Sequence, residues 1–490
     1  MNRNKVLLLA LLLASFSLAA CSGPKTVCTV NCGGGGNATV SFTLAAVPFT
    51  PPPGTSILSF AVTLSGVSLT PASGSDVSIP LNATTYVVDL TRLQSDSAFL
   101  GQVLASVPAG TYTKITVGVT RAVVTYCTDL GGTSGCDTSS VAQVSQTLTT
   151  PATSSFSATF IASQQTAVQI QFNFAHAITI SGTQPQVVSK VDLTAANVLT
   201  ASTLPPTASS LATGQLDFVE DVMGVVTAAS TTSVTVQTST HGSITAAADS
   251  SSLAMPNCVI TPGTACPPTV GQVASIDTAL NSDGTFTLLE FDPIAPTSSD
   301  WIEGIVSETP SSSTQFRIVT NDIILASASS LIGSNLAIGE PVQVTLPANV
   351  SSFVVDSKGL PISNTPFNGG TDATNILPGQ TVALRVTQFT AKAGNVSAAA
   401  TAKIVVLRFT RVVGSVFTAA PPIFNIQSLP PFFGPAVTYE VQLSSGSPST
   451  YYDGVPNASG LTAGQNVSIR ALYFGPTVVP AFSAAKVRKQ

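Results

Sequence analysis

Charge is what this chain lacks. Its 490 residues include 18 Lys+Arg and 23 Asp+Glu, 8% of the total, where a soluble domain usually has about 25%. A net charge of −5 leaves no basic footprint for nucleic acid. The Glu/Lys-rich heptads of a coiled coil are absent. Two histidines and one tryptophan leave little material for acid–base catalysis. No G-x-S-x-G elbow, H-E-x-x-H, P-loop or G-x-G-x-x-G opening a helix occurs, so the common hydrolase, metalloprotease and nucleotide-binding signatures are missing. What fills the space is Ser and Thr, 123 residues together, and a 44% hydrophobic fraction. That fraction excludes disorder by low hydrophobicity and high net charge. The length suits about three or four domains.

The N-terminus is the sharpest signal. Arg3 and Lys5 precede the apolar run Val6 to Leu13, the layout of a signal peptide over residues 1–20 and too short for a membrane span. It ends in Leu18-Ala19-Ala20-Cys21, which resembles the lipobox of bacterial lipoproteins. The resemblance implies that Cys21 is lipidated and that membrane lipid is a partner. Each buried methylene of the acyl chains contributes about 0.8 kcal/mol. Ser22 in place of Asp implies, by the same resemblance, the outer membrane. Residues 21–37 contain four successive glycines, Gly33 to Gly36, and read as a flexible tether.

Six further cysteines fall into three local pairs: Cys28 with Cys32, Cys127 with Cys136, Cys258 with Cys266. In an exported chain these are disulfide candidates. Neither His176 nor His241 lies beside a pair, so no zinc set is assembled. No metal and no cofactor is expected.

From Ala38 the chain turns to short runs of period 2, the pattern of sheets with one wet face. Leu58, Phe60, Val62 and Leu64 alternate, and the parity flips after Gly66 to Val67 and Leu69, which points to a bulge. Asp89–Leu104 has weak helical spacing, enough for one or two turns. The expected fold is all-β: an antiparallel β-sandwich over 38–200, a linker over 201–215, then three barrel-like repeat units over 216–296, 297–410 and 411–490. The repeat has two halves. A glycine opens an apolar run at Gly224, Gly304 and Gly414, and Gly-Gln precedes alternating apolar residues at Gly271, Gly379 and Gly464. The middle unit is longer, with an insertion expected around Pro347–Asn375 and a near-copy of the second half at Gly339-Glu340. Val467, Ile469, Val273 and either Val382 or Leu384 are expected to point into barrels of about five or six strands.

Two stretches, VVDLTRLQ (Val87–Gln94) and VPAGTYTKITVGV (Val107–Val119), resemble a β-rich module of unknown function found in bacterial lipoproteins. The repeats resemble short barrel modules, also of unknown function, that accompany it. The resemblance implies an exported or lipid-anchored all-β protein and brings no catalytic motif. Pro108-Ala109-Gly110 reads as a turn, and Tyr112 is expected to bond back onto it.

Candidate chemistry is sparse. His176 sits on the apolar parity of its strand and reads as a core or bulge histidine, His241 as a turn residue. Asp217, Glu220 and Asp221, then Asp283, Asp292, Asp300 and Glu303, read as solvated carboxylates at turns and linkers. Trp301 reads as core or an inter-barrel plug. Phe432, Phe433, Tyr451 and Tyr452 occupy loop contexts, either as binding loops or as plugs into the core. Lys486, Arg488 and Lys489 read as strand-edge or solvated charges. The expectation is a non-catalytic, lipid-anchored envelope protein that binds or scaffolds, its partner an envelope protein or a polysaccharide. An array of carbohydrate-binding modules is the alternative, a hydrolase the more distant one.

Overall fold

The computed structural model describes residues 36–490 apart from 82–85, 96–97, 100–104, 130–134, 138–139, 184, 205–217, 240–241, 249–266, 281–284, 296–298, 327–328, 348–351, 363–366, 368–369, 371 and 447–448. Cys21, Cys28, Cys32, Asp217, His241, Cys258, Cys266 and Asp283 lie outside the described residues, as do the side chains of Glu220 and Asp221.

The protein is all-β. The N-terminal domain packs two sheets face to face. One is built on the long antiparallel pair Thr55–Pro71 and Gly110–Thr128, flanked by Val77–Ile79, Tyr86–Asp89, Ala142–Thr147 and Ala152–Phe160. The other carries Asn37–Val47 at its centre. The inward parity of both, including Phe42, Phe60, Val117 and Phe172, forms one core. The pairing register shifts between Leu64 and Gly66, the bulge that the parity flip required. The sheets are not purely antiparallel: Asn37–Val47 pairs in parallel with Gln165–Asn173. Alternation alone does not distinguish the two directions. Tyr112 donates from its hydroxyl to Pro108 O at 2.8 Å. The helical spacing after Asp89 yields only the 3-10 turn Arg92–Gln94 among the described residues.

Three barrels follow with one connectivity. In the first, Phe218–Ala229, Ser233–Thr238, Ser243–Ala247, Val273–Leu280 and Phe286–Ala295 close in the order 1-2-3-5-4. The third and fifth strands pair in parallel. The second barrel (Trp301–Val306, Gln315–Ile324, Pro341–Thr345, Thr381–Thr390, Ala398–Arg408) and the third (Thr410–Ala420, Ile423–Gln427, Thr438–Leu443, Asn466–Tyr473, Phe482–Lys489) repeat that order and that parallel closure. This is the connectivity of a five-stranded OB-type barrel.

The repeat holds to the residue. Gly224 pairs with Ala274, Gly304 with Val382 and Gly414 with Val467. A Cβ on these glycines would meet Gln237 O at 2.4 Å, Val319 O at 2.5 Å and Gln427 O at 2.7 Å. The first strand therefore bends onto the second only through glycine. The Gly-Gln halves build one turn three times. Gly271, Gly379 and Gly464 have φ of 87°, 90° and 81°. Each Gln side chain accepts from the amide three residues earlier: Thr269 at 3.0 Å, Leu377 at 2.8 Å, Thr462 at 3.1 Å. Gly339-Glu340 is a fourth copy, with Glu340 accepting from Ala337 N at 3.1 Å. Val382, Leu384, Val467 and Ile469 face their barrel cores. Val273 does not. Ala274 and Ile276 take the core positions, and Val273 turns outward to pack with Trp301 between the first and second barrels. Val273 stands at the position of Thr381 and Asn466 in the other two units, one residue before the inward Ala274, which is the equivalent of Val382 and Val467.

Gly304→Val is expected to destabilise the protein by about 2 kcal/mol or more, because backbone on the neighbouring strand cannot yield. Gly66→Ala, where an added Cβ meets nothing within 4 Å, should stay within about 0.5 kcal/mol of wild type. Denaturant unfolding of both variants checks the pair.

Candidate functional site at the junction of the units

Several of this chain's few charged residues are buried where its units meet. Glu303, on the first strand of the second barrel, is buried and holds two guanidiniums. Its Oε1 accepts from Arg92 Nη1 of the N-terminal domain at 2.8 Å, and its Oε2 from Arg408 Nε at 3.1 Å. Arg408, fully buried, also pairs with Asp356. Asn321 of the second barrel donates to Asp89 Oδ2 at 2.6 Å. Asp89 Oδ1 accepts from the amides of Phe60 and Thr91. The segment Val87–Gln94 is thus the docking edge of the N-terminal domain. Its Gln94 O accepts from Ser468 Oγ of the third barrel at 3.0 Å. Two buried charges brought together in low dielectric hold only if their remaining polar atoms are met, and here neighbouring units supply the partners.

The first barrel joins through a second cluster. Lys358, in the insertion of the second barrel, lies 2.9 Å from Asp292 and 3.4 Å from Asp277. Arg470 of the third barrel is 3.9 Å from Asp277. Ser239 of the first barrel donates to Asp322 of the second. Burial, reinforced by the neighbouring carboxylates, pushes Glu290 up to about 9. Burial pushes Asp292 up to about 7 and Asp322 to about 6, against the pull of Lys358 and Arg92 respectively. Lys358 is held well above its usual value: the carboxylates of Asp277, Asp292, Asp356 and Glu290 outweigh the opposing effect of its burial.

Asp292, Asp300 and Glu303 are therefore not the solvated carboxylates that their sequence contexts indicated. Asp300 is buried and accepts from Ser330 Oγ and from the amides of Ala326, Leu331 and Ile332 at 2.6–2.9 Å, which organises the loop after the second strand. His176 is not a core histidine. Asn173 caps the short helix Phe174–Ala177, accepting from Ala175 N, and the change of period turns His176 to solvent. Lys486 is buried rather than solvated, its ammonium 5.5 Å from the centroid of the Tyr451 ring. Arg488 pairs with Asp453 at 2.5 Å.

A cleft opens at the meeting point of the N-terminal domain, the second barrel and the third. Its open volume is about 80 Å³. Phe49, Ser56 and Arg92 line it from the first, Glu303 from the second, and Arg411 and Phe433 from the third. Phe432 and Phe433 are plugs rather than exposed loop side chains. Phe432 O accepts from Gly135 N at 2.8 Å, and the Phe433 ring packs edge-on to Tyr473 at 5.2 Å. A Cβ on Gly379 would lie 2.7 Å from the Phe433 ring, so the turn glycine also makes room for the plug. Tyr452 packs against the third-barrel core. Cys127 and Cys136 stand at disulfide distance, S–S 2.09 Å. Their loop docks on the second barrel through Cys136 N to Ser307 O, 2.7 Å.

Residues 37–188 match the family model described as a domain of unknown function (DUF4382). The match spans the N-terminal sandwich from its central strand and includes the docking segment Val87–Gln94. No curated protein matches the chain. Among solved structures, a multidomain protein with nucleic acid binding domains from Streptococcus pneumoniae TIGR4 is similar at 11% identity over 55% of this chain and 72% of that one, with a TM-score of 0.10. At that score it carries nothing over to this chain.

The junction carboxylates set a pH dependence. Asp292, Glu290 and Asp322 have folded-state values above their unfolded ones, so the stability they allow is complete near pH 4 and lost as pH rises through about 6, 7 and 9. Stability should fall from pH 5 to pH 9, read as the midpoint of thermal unfolding by circular dichroism. The double variant Asp292→Asn/Glu290→Gln should flatten that slope, and an unchanged slope would contradict the assignment.

Proposed function

We propose that the chain is a non-catalytic, lipid-anchored protein of the bacterial cell envelope that acts by binding or scaffolding. The observation that carries this reading is the junction. Buried charges link four β-units, with a cleft where the N-terminal domain, the second barrel and the third meet, a construction suited to presenting fixed surfaces. The Leu18-Ala19-Ala20-Cys21 sequence supports an anchor at Cys21, and Ser22 the outer membrane. The Cys127–Cys136 pair suits an oxidising compartment. The groups that a hydrolase would use have other work. Glu303 holds two guanidiniums, Asp300 caps a loop, and His176 stands on an exposed turn. Trp301, Phe432 and Phe433 are buried, so the sugar-stacking platform they could have formed is not the favoured reading.

In cells, the wild-type chain should partition into the detergent phase, and Cys21→Ser into the aqueous phase, because an unlipidated segment has no durable membrane affinity. Crosslinking in intact cells should capture a discrete envelope partner. Equal partition of the two forms would remove the anchor. Turnover of an ester or glycoside by the purified chain, abolished in His176→Ala, would replace the binding reading with an enzyme.

A further inference from the structure

We propose that the Cys127–Cys136 pair is an oxidation-operated clasp: its disulfide holds the backbone that grips the second and third barrels, and the docked barrels in turn shield the disulfide. The inference rests on the docked junction and on an oxidising compartment, not on the anchor at Cys21. Three observations carry it. The first is where the pair packs. Cys127 lies near the end of the strand Gly110–Thr128, whose inward side chains Val117, Val119 and Val124 belong to the sandwich core. Neither cysteine belongs to that core. With Leu58, both fall in the cluster of Val319 of the second barrel and of Val412, Phe432 and Phe433 of the third. A disulfide that served the sandwich alone would lie among the sandwich's own core side chains.

The second observation is what the closed ring presents. Gly135 N donates to Phe432 O of the third barrel at 2.8 Å, and Cys136 N donates to Ser307 O of the second at 2.7 Å. Two successive amides thus bridge the sandwich to two barrels. A Cβ on Gly135, φ 95°, would lie 2.9 Å from Pro378 Cγ, so the backbone itself rests against the second barrel. Those bonds need residues 135 and 136 to be fixed relative to the sandwich. The covalent link to Cys127 fixes them, because a cross-link removes the open conformations that compete with this one. The third observation is access. Cys127 is 0% exposed and Cys136 8%. Thiol–disulfide exchange requires a thiolate to reach the sulfur, so a covered pair neither forms nor opens readily. Oxidation therefore precedes docking. The two thiols lose two electrons and two protons to the disulfide of an oxidising protein or small molecule, which leaves as two thiols. Docking then covers the bond, and reduction has to wait for the units to part. In this way a chain that has not reached an oxidising compartment keeps its sandwich but holds its barrels weakly.

The test uses the purified full chain and two measurements. Hydrogen exchange compares the wild type with the double variant Cys127→Ala/Cys136→Ala. The amides of residues 135 and 136 should exchange about a hundredfold faster in the variant, the scale of loop closure for a ring of about ten residues. The strand interior from Val117 to Val124 should keep its protection, which also shows that the variant is folded. Differential alkylation with mass spectrometry then follows the opening of Cys127–Cys136 by dithiothreitol under native conditions. In Glu303→Gln, whose junction is loosened, both that reduction and exchange at 135 and 136 should be about tenfold faster or more. If those amides are unmoved in Glu303→Gln, the double variant decides. Unchanged exchange at 135 and 136 in the double variant would overturn the clasp. So would lost protection from Val117 to Val124, which would make the disulfide a staple of the sandwich. Reduction at the wild-type rate in a Glu303→Gln chain whose amides exchange faster would overturn the shielding. None of these outcomes bears on the detergent partition of Cys21→Ser, so failure here is distinct from failure of the envelope reading.

Discussion

Glu303 is the point on which the assembly turns. It is buried, belongs to the second barrel, and is shared between Arg92 of the N-terminal domain and Arg408, which in turn holds Asp356. Removing one member would leave an uncompensated buried charge, at a cost of about 3–5 kcal/mol. The pairs therefore do less to make the protein stable than to make one arrangement of its units the acceptable one. An apolar junction of Val and Ala faces would tolerate sliding. Guanidiniums that must each meet a carboxylate do not.

The same logic explains why charge is scarce elsewhere. The barrels expose Ser and Thr on their outer parity, as where Thr235 and Thr245 bond across strands at 3.0 Å. Hydroxyl surfaces keep the sheets wet without competing ions. The second cluster, around Lys358, differs in kind from the first. It holds more carboxylates than cations, and burial keeps Glu290 and Asp292 near or above neutrality in their protonated tendency. The first barrel is thus docked by a cluster sensitive to proton concentration, while the N-terminal domain is docked by one built from matched pairs.

Much of the architecture was legible in the sequence because it is local. Period-2 alternation marks strands, Gly66 marks a bulge, and the three Gly-Gln turns repeat because a positive φ and a side chain reaching three residues back are both encoded within four residues. Tyr112 bonding to Pro108 is of the same kind. The junction was not legible because its partners are remote: Arg92 and Glu303 are 211 residues apart, Asn321 and Asp89 232. A carboxylate in a Ser/Thr-rich context looks solvated until a distant arginine is folded onto it. The parallel pairing of Asn37–Val47 with Gln165–Asn173 shares that origin, whereas the outward Val273 and the exposed His176 are local, set by a place in the Gly-Gln motif and by the Asn173 cap, which alternation does not express. The cleft joins both kinds of information. Phe432 and Phe433 stood out from their loop context, but only the docked barrels show that they form one of its walls.

The central claim is that buried charge makes the N-terminal domain, the second barrel and the third one cooperative body. Differential scanning calorimetry of the full chain tests it most directly, with Glu303→Gln for comparison. The account predicts that these three units unfold in one transition in the wild type, with calorimetric and van't Hoff enthalpies in agreement, and that Glu303→Gln splits it. Separate transitions in the wild type, or a single unshifted transition in Glu303→Gln, would contradict it.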